Sequence, residues 1–289
     1  MTVRVLTFNI RQIPLLSVLE HPVRRARQAA ALVLAHRPDV VVLNEAHPLS
    51  GTWLLLARLR RAGYRTTPQI GTWSGRRRWT GTSGRWNVLS GFIGGGVSVL
   101  STLPIDELHQ HIYHARDLRT QDRLSHKGVA LVRLRTADGP LWIAATHLQA
   151  DEDGTYPATH DVRMAQLAEA RAAIAAVVPP AEPVVIAGDL NVEYWDSAAR
   201  PGHDHVAAAR SLGGRLLPDG PVHEHTYDTT VIRLASRECP DTRNVLDYIG
   251  SVDENGHRPA LHISTATLPF PRGEEPSDHY PVLGTVRLT

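Results

Sequence analysis

Six short polar motifs, most of them at the ends of apolar runs, are spread over this sequence from residue 9 to residue 279. Apolar runs of this length are typical of buried strands, and polar residues at strand ends can gather along one edge of a sheet. A site that uses all six motifs needs nearly the whole chain, so we predict one domain over residues 1–289. The motifs are Phe8-Asn9, Asn44-Glu45, Thr146-His147-Leu148-Gln149, Gly188-Asp189-Leu190-Asn191, Leu246-Asp247-Tyr248 and Ser277-Asp278-His279.

The composition limits the kinds of site that this chain can build. With 289 residues, of which 42% are hydrophobic, it can bury a substantial core. Its single cysteine, Cys239, excludes an internal disulfide and a cysteine-rich metal site, and it lies in no nucleophile motif. The 31 basic and 29 acidic side chains nearly cancel, so charge alone does not indicate nucleic acid. Oxygen atoms and imidazoles remain as candidate metal ligands.

The sequence contains no targeting or membrane segment that we recognise. No apolar run approaches the roughly 18 residues that a transmembrane helix requires. Residues 1–8 alternate like a strand and lack the pattern of a signal peptide. We therefore expect a soluble, cytoplasmic monomer, or a secreted protein if a leader has been removed.

Apolar patterning predicts an α/β fold. Residues 24–36 and 161–178 have helical spacing, and prolines follow both segments. Many strands with few helices favour a four-layer α/β sandwich, in which two mixed β-sheets pack face to face with helices outside. We interpret residues 65–96, rich in Gly, Thr and Trp, as a long surface excursion. The predicted strands are 3–8, 39–43, 96–100, 127–135, 141–146, 184–187, 246–249 and 282–288.

Three of the motif residues carry hard oxygen donors. Asn9, Glu45 and Asp278 suit Mg²⁺, or Mn²⁺, which keeps several waters and binds substrate phosphate. We predict that they form a metal shell. Each of them alone is also compatible with an ordinary turn or strand-edge residue.

The remaining motif residues suggest proton transfer and phosphate contacts. His279 is a candidate base for an attacking water, with Asp247 binding its other ring nitrogen and fixing the tautomer. Asp189 and Asn191, two residues apart, are candidates to orient that water and to donate to a phosphoryl oxygen. His147 is a candidate donor to the same phosphate. The alternatives are that Asp247 is an ordinary strand-end residue, His279 a solvated loop histidine and His147 a structural histidine.

These motifs, in this order, resemble the endonuclease/exonuclease/phosphatase superfamily with the DNase I-like fold. Over nearly the whole chain the sequence is most similar to the bacterial neutral sphingomyelinases. The Asp189 and Asp278-His279 motifs are shared across the superfamily, whereas Thr146-His147-Leu148-Gln149-Ala150 and the segment with Ser125, Lys127 and Gly128 favour the sphingomyelinase branch. That resemblance depends on residues 95–101 with 103–105, Leu124-Ser125-His126-Lys127-Gly128, Thr146-His147-Leu148-Gln149-Ala150-Asp151, Leu246-Asp247-Tyr248-Ile249 and Ser277-Asp278-His279-Tyr280-Pro281-Val282.

The resemblance implies a Mg²⁺-dependent phosphodiesterase acting on a phosphodiester, such as a phospholipid. In that interpretation Glu45 binds the metal with Asn9 nearby, and His279 and His147 catalyse. Lys127 stands at the position of the family's substrate-side lysine and can pair with the phosphate, although a solvated lysine is an alternative. The chain lacks the export signal, disulfide and aromatic hairpin of secreted relatives, so a more soluble phosphodiester is an alternative substrate.

Two further functions stay open from the sequence. A nuclease is favoured by the basic and aromatic segment Arg76-Arg77-Arg78-Trp79, with Trp73 and Trp86 nearby, which can contact phosphates and stack on bases. A solvated loop is the alternative for that segment. A binding module that keeps the fold without turnover is the other function.

Several histidines have spacings compatible with zinc. They lack acidic or cysteine partners at the family's positions, so we expect an accidental or surface role for them. They are His109, His111 and His114, the pair His203 and His205, and the pair His223 and His225.

Overall fold

The computed structural model describes residues 2–13, 20–48, 50–87, 90–152, 155–194, 204–220, 222, 224–235, 242–253, 256–271 and 273–288. Cys239, His203 and His223 lie outside these residues. The helices are α1 (Pro22–His36), α2 (Thr52–Arg61), α3 (Ser90–Ile93), α4 (Ala158–Val177) and α5 (Asp204–Leu212). The strands are β1 (Thr2–Gln12), β2 (Val40–Ala46), β3 (Arg65–Thr66), β4 (Gly81–Gly84), β5 (Ser98–Ser101), β6 (Ile105–Ile112), β7 (Gly128–Thr136), β8 (Gly139–His147), β9 (Val184–Asp189), β10 (Gly214–Arg215), β11 (Tyr227–Asp228), β12 (Arg243–Asn244), β13 (Asp247–Val252), β14 (Leu261–Thr267) and β15 (Val282–Leu288).

The strands form two large mixed sheets and a small β11–β12 ribbon. The first sheet has six strands in the order β14-β15-β1-β2-β5-β3, and the second has seven in the order β10-β13-β9-β8-β7-β6-β4. The pairs β1–β2 and β8–β9 are parallel, so their carboxyl ends lie at the same edge. The central strands of both sheets therefore end in polar motif residues.

Alternation along β1 explains the layers. Val3 and Val5 face the second sheet, whereas Leu6, Phe8 and Ile10 face outward and pack against helices. α1 and α2 cover this outer face of the first sheet, with Leu55 and Leu59 among the residues that α2 buries. The same alternation on the second sheet places α4 and α5 outside it. The four-layer α/β sandwich predicted from the sequence is confirmed.

The segment 65–96 was predicted to be a surface excursion, and that prediction was wrong. It supplies β3 to the first sheet and β4 to the second, and it buries Ile70 completely and Trp79 almost completely. Short strands of two and four residues, with Gly81 and Gly84 at the ends of β4, give too weak an alternation for sequence patterning to detect.

Two other features bear on the sequence predictions. The described residues of 268–276 contain no helix or strand and form the loop before Asp278 and His279. Among the described residues, no helix combines the length and apolar character needed to cross a bilayer.

Candidate active site

Three site residues are adjacent across the second sheet because of its strand register. His147 at the end of β8 pairs with Asp189 at the end of β9, and Asp189 pairs with Asp247 at the start of β13. All three side chains are nearly inaccessible to solvent. The sheet therefore fixes a histidine and two aspartates side by side at one edge.

The first sheet contributes Asn9 and Glu45 from its parallel pair. Asn9 on β1 is in register with Asn44 on β2, and Glu45 follows with a positive φ of 51°. A non-glycine residue in this region is uncommon and costs conformational energy. This turn breaks the alternation of β2, so that the buried Asn44 and the half-buried Glu45 both contact the site. Sequence patterning contains no signal for it.

Amide side chains connect the two sheets. Asn9 Nδ2 donates to Glu45 Oε1 and to Asp189 Oδ2, both at 2.9 Å. The fully buried Asn44 donates to the Thr146 carbonyl at 2.9 Å and accepts from the Asp189 amide at 3.1 Å. Sequence reasoning did not assign Asn44 a role, although its motif was noted. It holds the ends of β2, β8 and β9 together.

His279 forms the predicted pair with Asp247. Its Nδ1 is 2.7 Å from Asp247 Oδ2, and its Nε2 is 3.9 Å from Asp189 Oδ2. Burial opposes protonation of His279, but the carboxylates of Asp247 and Asp189 outweigh it and raise the pKa of His279 well above its ordinary range. Without added positive charge nearby, this imidazole is protonated at neutral pH.

His147 lies in the opposite electrostatic situation. Its Nε2 is 3.7 Å from Asp189 Oδ2. Burial, reinforced by the positive charges of Lys127 and His279 and by His47, lowers the pKa of His147 well below its ordinary range. His147 is therefore a neutral imidazole, suited to donating a hydrogen bond.

Asp189 and Asn191 form a tight turn after β9. Asn191 has a positive φ of 50°, and its amide donates to Asp189 Oδ1 at 3.0 Å. Asn191 Nδ2 donates to the Leu148 carbonyl at 3.1 Å. A Cβ on Gly188 would lie 1.8 Å from the Thr146 carbonyl oxygen, which explains the glycine. Gly188 therefore allows the close approach of the β8 and β9 backbones.

Asp278 is held by arginine, which the sequence reasoning missed. Arg11 Nη1 donates to Asp278 Oδ2 at 2.6 Å, and Glu20 accepts from both Arg11 and Arg25. Burial opposes ionisation of Asp278, but Arg11 and His279 outweigh it and keep its pKa below the usual range. Asp278 is thus an ionised carboxylate whose first contact is a guanidinium.

Lys127 is buried just before β7. Its Nζ donates to the Leu148 carbonyl at 2.6 Å and lies 3.2 Å from Asp122 Oδ2. The alternative of a solvated lysine is therefore wrong. The ammonium holds the turn that follows His147, and it also lines a pocket beside the site.

The buried carboxylates fit a hard divalent cation. Ligand atoms of Glu45, His147 and Asp189 lie within 4.8 Å of one another, and so do those of Asp189, Asp247 and His279. Glu45 Oε2 is shielded from solvent and has no hydrogen-bond partner among the described residues. Burial, with the charge of Asp278, raises the pKa of Glu45 to about 7, and burial, with that of Asp247, raises the pKa of Asp189 to about 6. A cation would relieve this concentration of negative charge.

The arginine and tryptophan segment is packed against itself. The Arg76 guanidinium lies 5.6 Å from the Trp73 ring centroid and 5.1 Å from that of Trp86. The two rings are 5.5 Å apart, and Trp86 also contacts His126 edge-on. Arg76 therefore already contacts both indoles in cation–π geometry.

Comparison with known proteins agrees with this geometry. Residues 6–279 match the model of the endonuclease/exonuclease/phosphatase family. The chain belongs to that family. Sphingomyelinase C from Listeria ivanovii is 32% identical over 267 residues, which cover 85% of this chain and 74% of the relative. Family and relatives together identify the protein as a phosphoric ester hydrolase, and the resemblance inferred from its motifs is confirmed.

Solved structures share the fold over its full length. Sphingomyelinase C from Streptomyces griseocarneus superposes with a TM-score of 0.82 at 26% identity, covering 99% of both chains. A Staphylococcus aureus beta toxin variant with bound magnesium ions superposes with a TM-score of 0.83 at 23% identity, covering 98% of this chain and 99% of the toxin. This chain therefore has the same DNase I-like sandwich fold as these solved structures.

Proposed function

We propose that this family member is a Mg²⁺-dependent phosphodiesterase that hydrolyses a sphingomyelin-like phospholipid by in-line attack of water at phosphorus. The observation that supports it most is the His279–Asp247 pair, at 2.7 Å, beside the Glu45, Asp189 and His147 cluster. A base, its orienting carboxylate and a cation-binding carboxylate are the parts that metal-assisted hydrolysis requires.

We assign the cation to Glu45, with Asn9 and Asp278 completing its surroundings. Glu45 Oε2 is the buried oxygen without a described partner, whereas Asn9 and Asp278 already have neighbours on the protein. Mg²⁺ characteristically takes one or two protein carboxylates and keeps several waters, which fits so small a donor set. A bound cation would polarise a phosphoryl oxygen, offset charge on the leaving group and lower the pKa of His279.

The remaining side chains accept the proton and bind the phosphate. Neutral His279 accepts the proton of the attacking water through Nε2, because Asp247 engages its Nδ1 and fixes the tautomer. Asp189, 3.9 Å from that Nε2, orients the water. Asn191 and the neutral His147 donate hydrogen bonds to phosphoryl oxygens, where charge accumulates. Lys127 adds a nearby positive charge.

The relatives support the choice of lipid. The two sphingomyelinase C proteins compared above are 32% and 26% identical to this chain. Because the site residues come from both sheets, from Asn9 to His279, we also propose that residues 1–289 act as one catalytic domain and work as a monomer.

A phosphoester panel tests this function. Purified protein is incubated with sphingomyelin vesicles, a soluble choline phosphodiester and supercoiled plasmid, each with Mg²⁺ and with EDTA. We expect Mg²⁺-dependent release of phosphocholine and intact plasmid. Cleavage of the soluble ester without the lipid would overturn the lipid assignment, and nicked plasmid without phosphocholine would favour a nuclease. No turnover of any substrate would overturn the catalytic proposal and favour a binding module.

A further inference from the structure

A second group of possible metal ligands lies outside the active site, at the end of β6. His111 Nε2 and His114 Nδ1 lie 3.0 and 3.1 Å from the same oxygen, Glu169 Oε2. Glu169 projects from α4, 55 residues further along the chain than His114. The sequence showed the histidine spacing but did not indicate Glu169 as a partner, and the fold supplies that partner.

The spacing of these atoms suits a tetrahedral metal. Zinc bonds of about 2.0–2.1 Å place neighbouring ligand atoms about 3.3 Å apart. The two nitrogen–oxygen separations at Glu169 Oε2 are within a few tenths of an ångström of that value, and all three ligand atoms lie within 4.8 Å of one another. A cation can therefore replace the two ring hydrogens with only small side-chain movements.

The ligand atoms are held in place by a second set of contacts. Ser83 Oγ lies 3.0 Å from His111 Nδ1, so a hydroxyl can accept the proton of the nitrogen that faces away from Glu169. β4 pairs in register with β6 and places Ser83 opposite His111. The Ala115 amide donates to Glu169 Oε1 at 2.8 Å and fixes the carboxylate plane. Contacts of this kind orient the ligands of natural metal sites.

The chemistry of these donors selects a transition metal. Two imidazoles and one carboxylate suit Zn²⁺, whereas Mg²⁺ prefers oxygen ligands alone. The His114 side chain is 63% exposed, so solvent can supply a fourth ligand.

We propose that His111, His114 and Glu169 form a Zn²⁺ site, called the Glu169 site below, that ties the end of β6 to α4. Binding there restrains the segment after His114, which already contacts α4 through the hydrogen bond from Gln166 Nε2 to the Ala115 carbonyl. The same segment reaches Gln149 in the motif that contains His147, because the Asp117 amide lies 3.3 Å from Gln149 Oε1. Zn²⁺ therefore raises the Tm of the protein.

Calorimetric titration with Zn²⁺ tests the Glu169 site in protein saturated with Mg²⁺, which occupies the active site first. We expect one tight equivalent in the unaltered protein. We expect His111→Gln and His114→Gln each to weaken Zn²⁺ binding at least about 10-fold. Ser83→Ala removes the hydrogen-bond partner of a ligand and should weaken Zn²⁺ binding about 10-fold, as is typical for such partners. His109→Gln is the matched control, because His109 lies on the same strand, 3.3 Å from a carboxylate of Glu107, but has no second histidine.

Two readouts distinguish the Glu169 site from incidental histidine binding. Co²⁺ is expected to give a visible absorption band that His114→Gln removes and His109→Gln keeps. Zn²⁺ is expected to raise the Tm of the unaltered protein but not of His114→Gln. Because the His114 side chain is 63% exposed, the substitution itself should leave the protein folded. Equal Zn²⁺ affinity in the unaltered protein, His111→Gln and His114→Gln would overturn the proposal.

Discussion

The active site and the Glu169 site both combine histidines with carboxylates, but they differ in burial and in charge. In the active site, Asp189 and Asp247 are nearly inaccessible and Glu45 Oε2 has no described partner. At the Glu169 site, Glu169 accepts hydrogen bonds from two histidine side chains and from the backbone amides of His114 and Ala115. We propose that a cation balances the negative charge of the first site, whereas the hydrogen bonds of the second are satisfied without one and its ring hydrogens can be exchanged for a metal.

We propose that this contrast separates a catalytic site from a structural one. The active site joins two sheets, and within reach of the same aspartate the pKa of His279 is raised and that of His147 is lowered. Opposite pKa shifts around shared carboxylates are typical of acid–base sites. The Glu169 site joins one sheet to the helix that covers it, so its metal is expected to affect stability more than turnover.

The largest expected effect is on the active site. His279→Ala removes the base that Asp247 orients, so kcat should fall by about 10²-fold to 10⁴-fold with the fold unchanged. Steady-state hydrolysis and circular dichroism measure the two quantities. His262→Ala is the control, because His262 is 66% exposed and lies beside Asp219, outside the active site. An unaltered kcat in His279→Ala would reject the role of His279.

The next effect tests whether the active site depends on contact between the sheets. Asn44→Ala leaves the Thr146 carbonyl and the Asp189 amide without their buried partner, and the free energy of unfolding should fall by about 3 kcal/mol. Urea denaturation measures it. Thr7→Val is the control. Thr7 Oγ1 is 3.5 Å from Asn44 Oδ1, so the loss of this long contact should lower the free energy of unfolding by less than about 1 kcal/mol. Equal losses in both variants would contradict the connecting role of Asn44.

A third prediction concerns pH and the cation. Glu45 and Asp189 have folded-state pKa values of about 7 and about 6, above their ordinary values of 4.5 and 3.8. The folded state therefore holds extra protons, and their stabilising contribution is lost as pH rises from about 4 through about 7. Mg²⁺ binds the ionised carboxylates, so its stabilisation should be larger at about pH 8 than at about pH 5.

Thermal unfolding with and without Mg²⁺ measures this dependence. A concentration of 100 times Kd should add about 2.7 kcal/mol at the higher pH. Glu45→Gln should remove most of the increase, whereas His114→Gln should keep it. A Mg²⁺ effect that is independent of pH, or that survives in Glu45→Gln, would contradict the assignment of the cation to Glu45.

The smallest expected effect sharpens the separation of the two sites. His114→Gln abolishes the Glu169 site but touches no active-site residue, so Mg²⁺-dependent hydrolysis should stay within about 2-fold of the unaltered rate. Initial rates in Zn²⁺-free buffer measure this directly. A loss as large as that of His279→Ala would show that the two sites act together.

The sequence predicts what local patterning encodes. Apolar runs ending in Asn9, His147 and Asp189 became strands whose polar ends meet, because parallel neighbours end at one edge. The His279–Asp247 contact followed from the same reasoning together with the family resemblance, and the distance of 2.7 Å agrees with it. The roles assigned to these residues stay predictions.

Other features depend on contacts that are distant in sequence. Arg11 meets Asp278 across 267 positions, and Glu169 meets His114 across 55. The positive φ of Glu45 arises where the surrounding structure outweighs its backbone preference. None of these contacts leaves a periodic or compositional signal, and only the assembled sheets reveal them.

The most direct test of the active-site account is the position of the cation. A crystal of the protein soaked in Mn²⁺ is measured for anomalous scattering, since Mn²⁺ takes the same oxygen ligands as Mg²⁺. The account predicts an anomalous peak within about 2.3 Å of Glu45 Oε2, next to Asp189 and His279. A crystal in which Mn²⁺ binds elsewhere and leaves Glu45 without metal would contradict it.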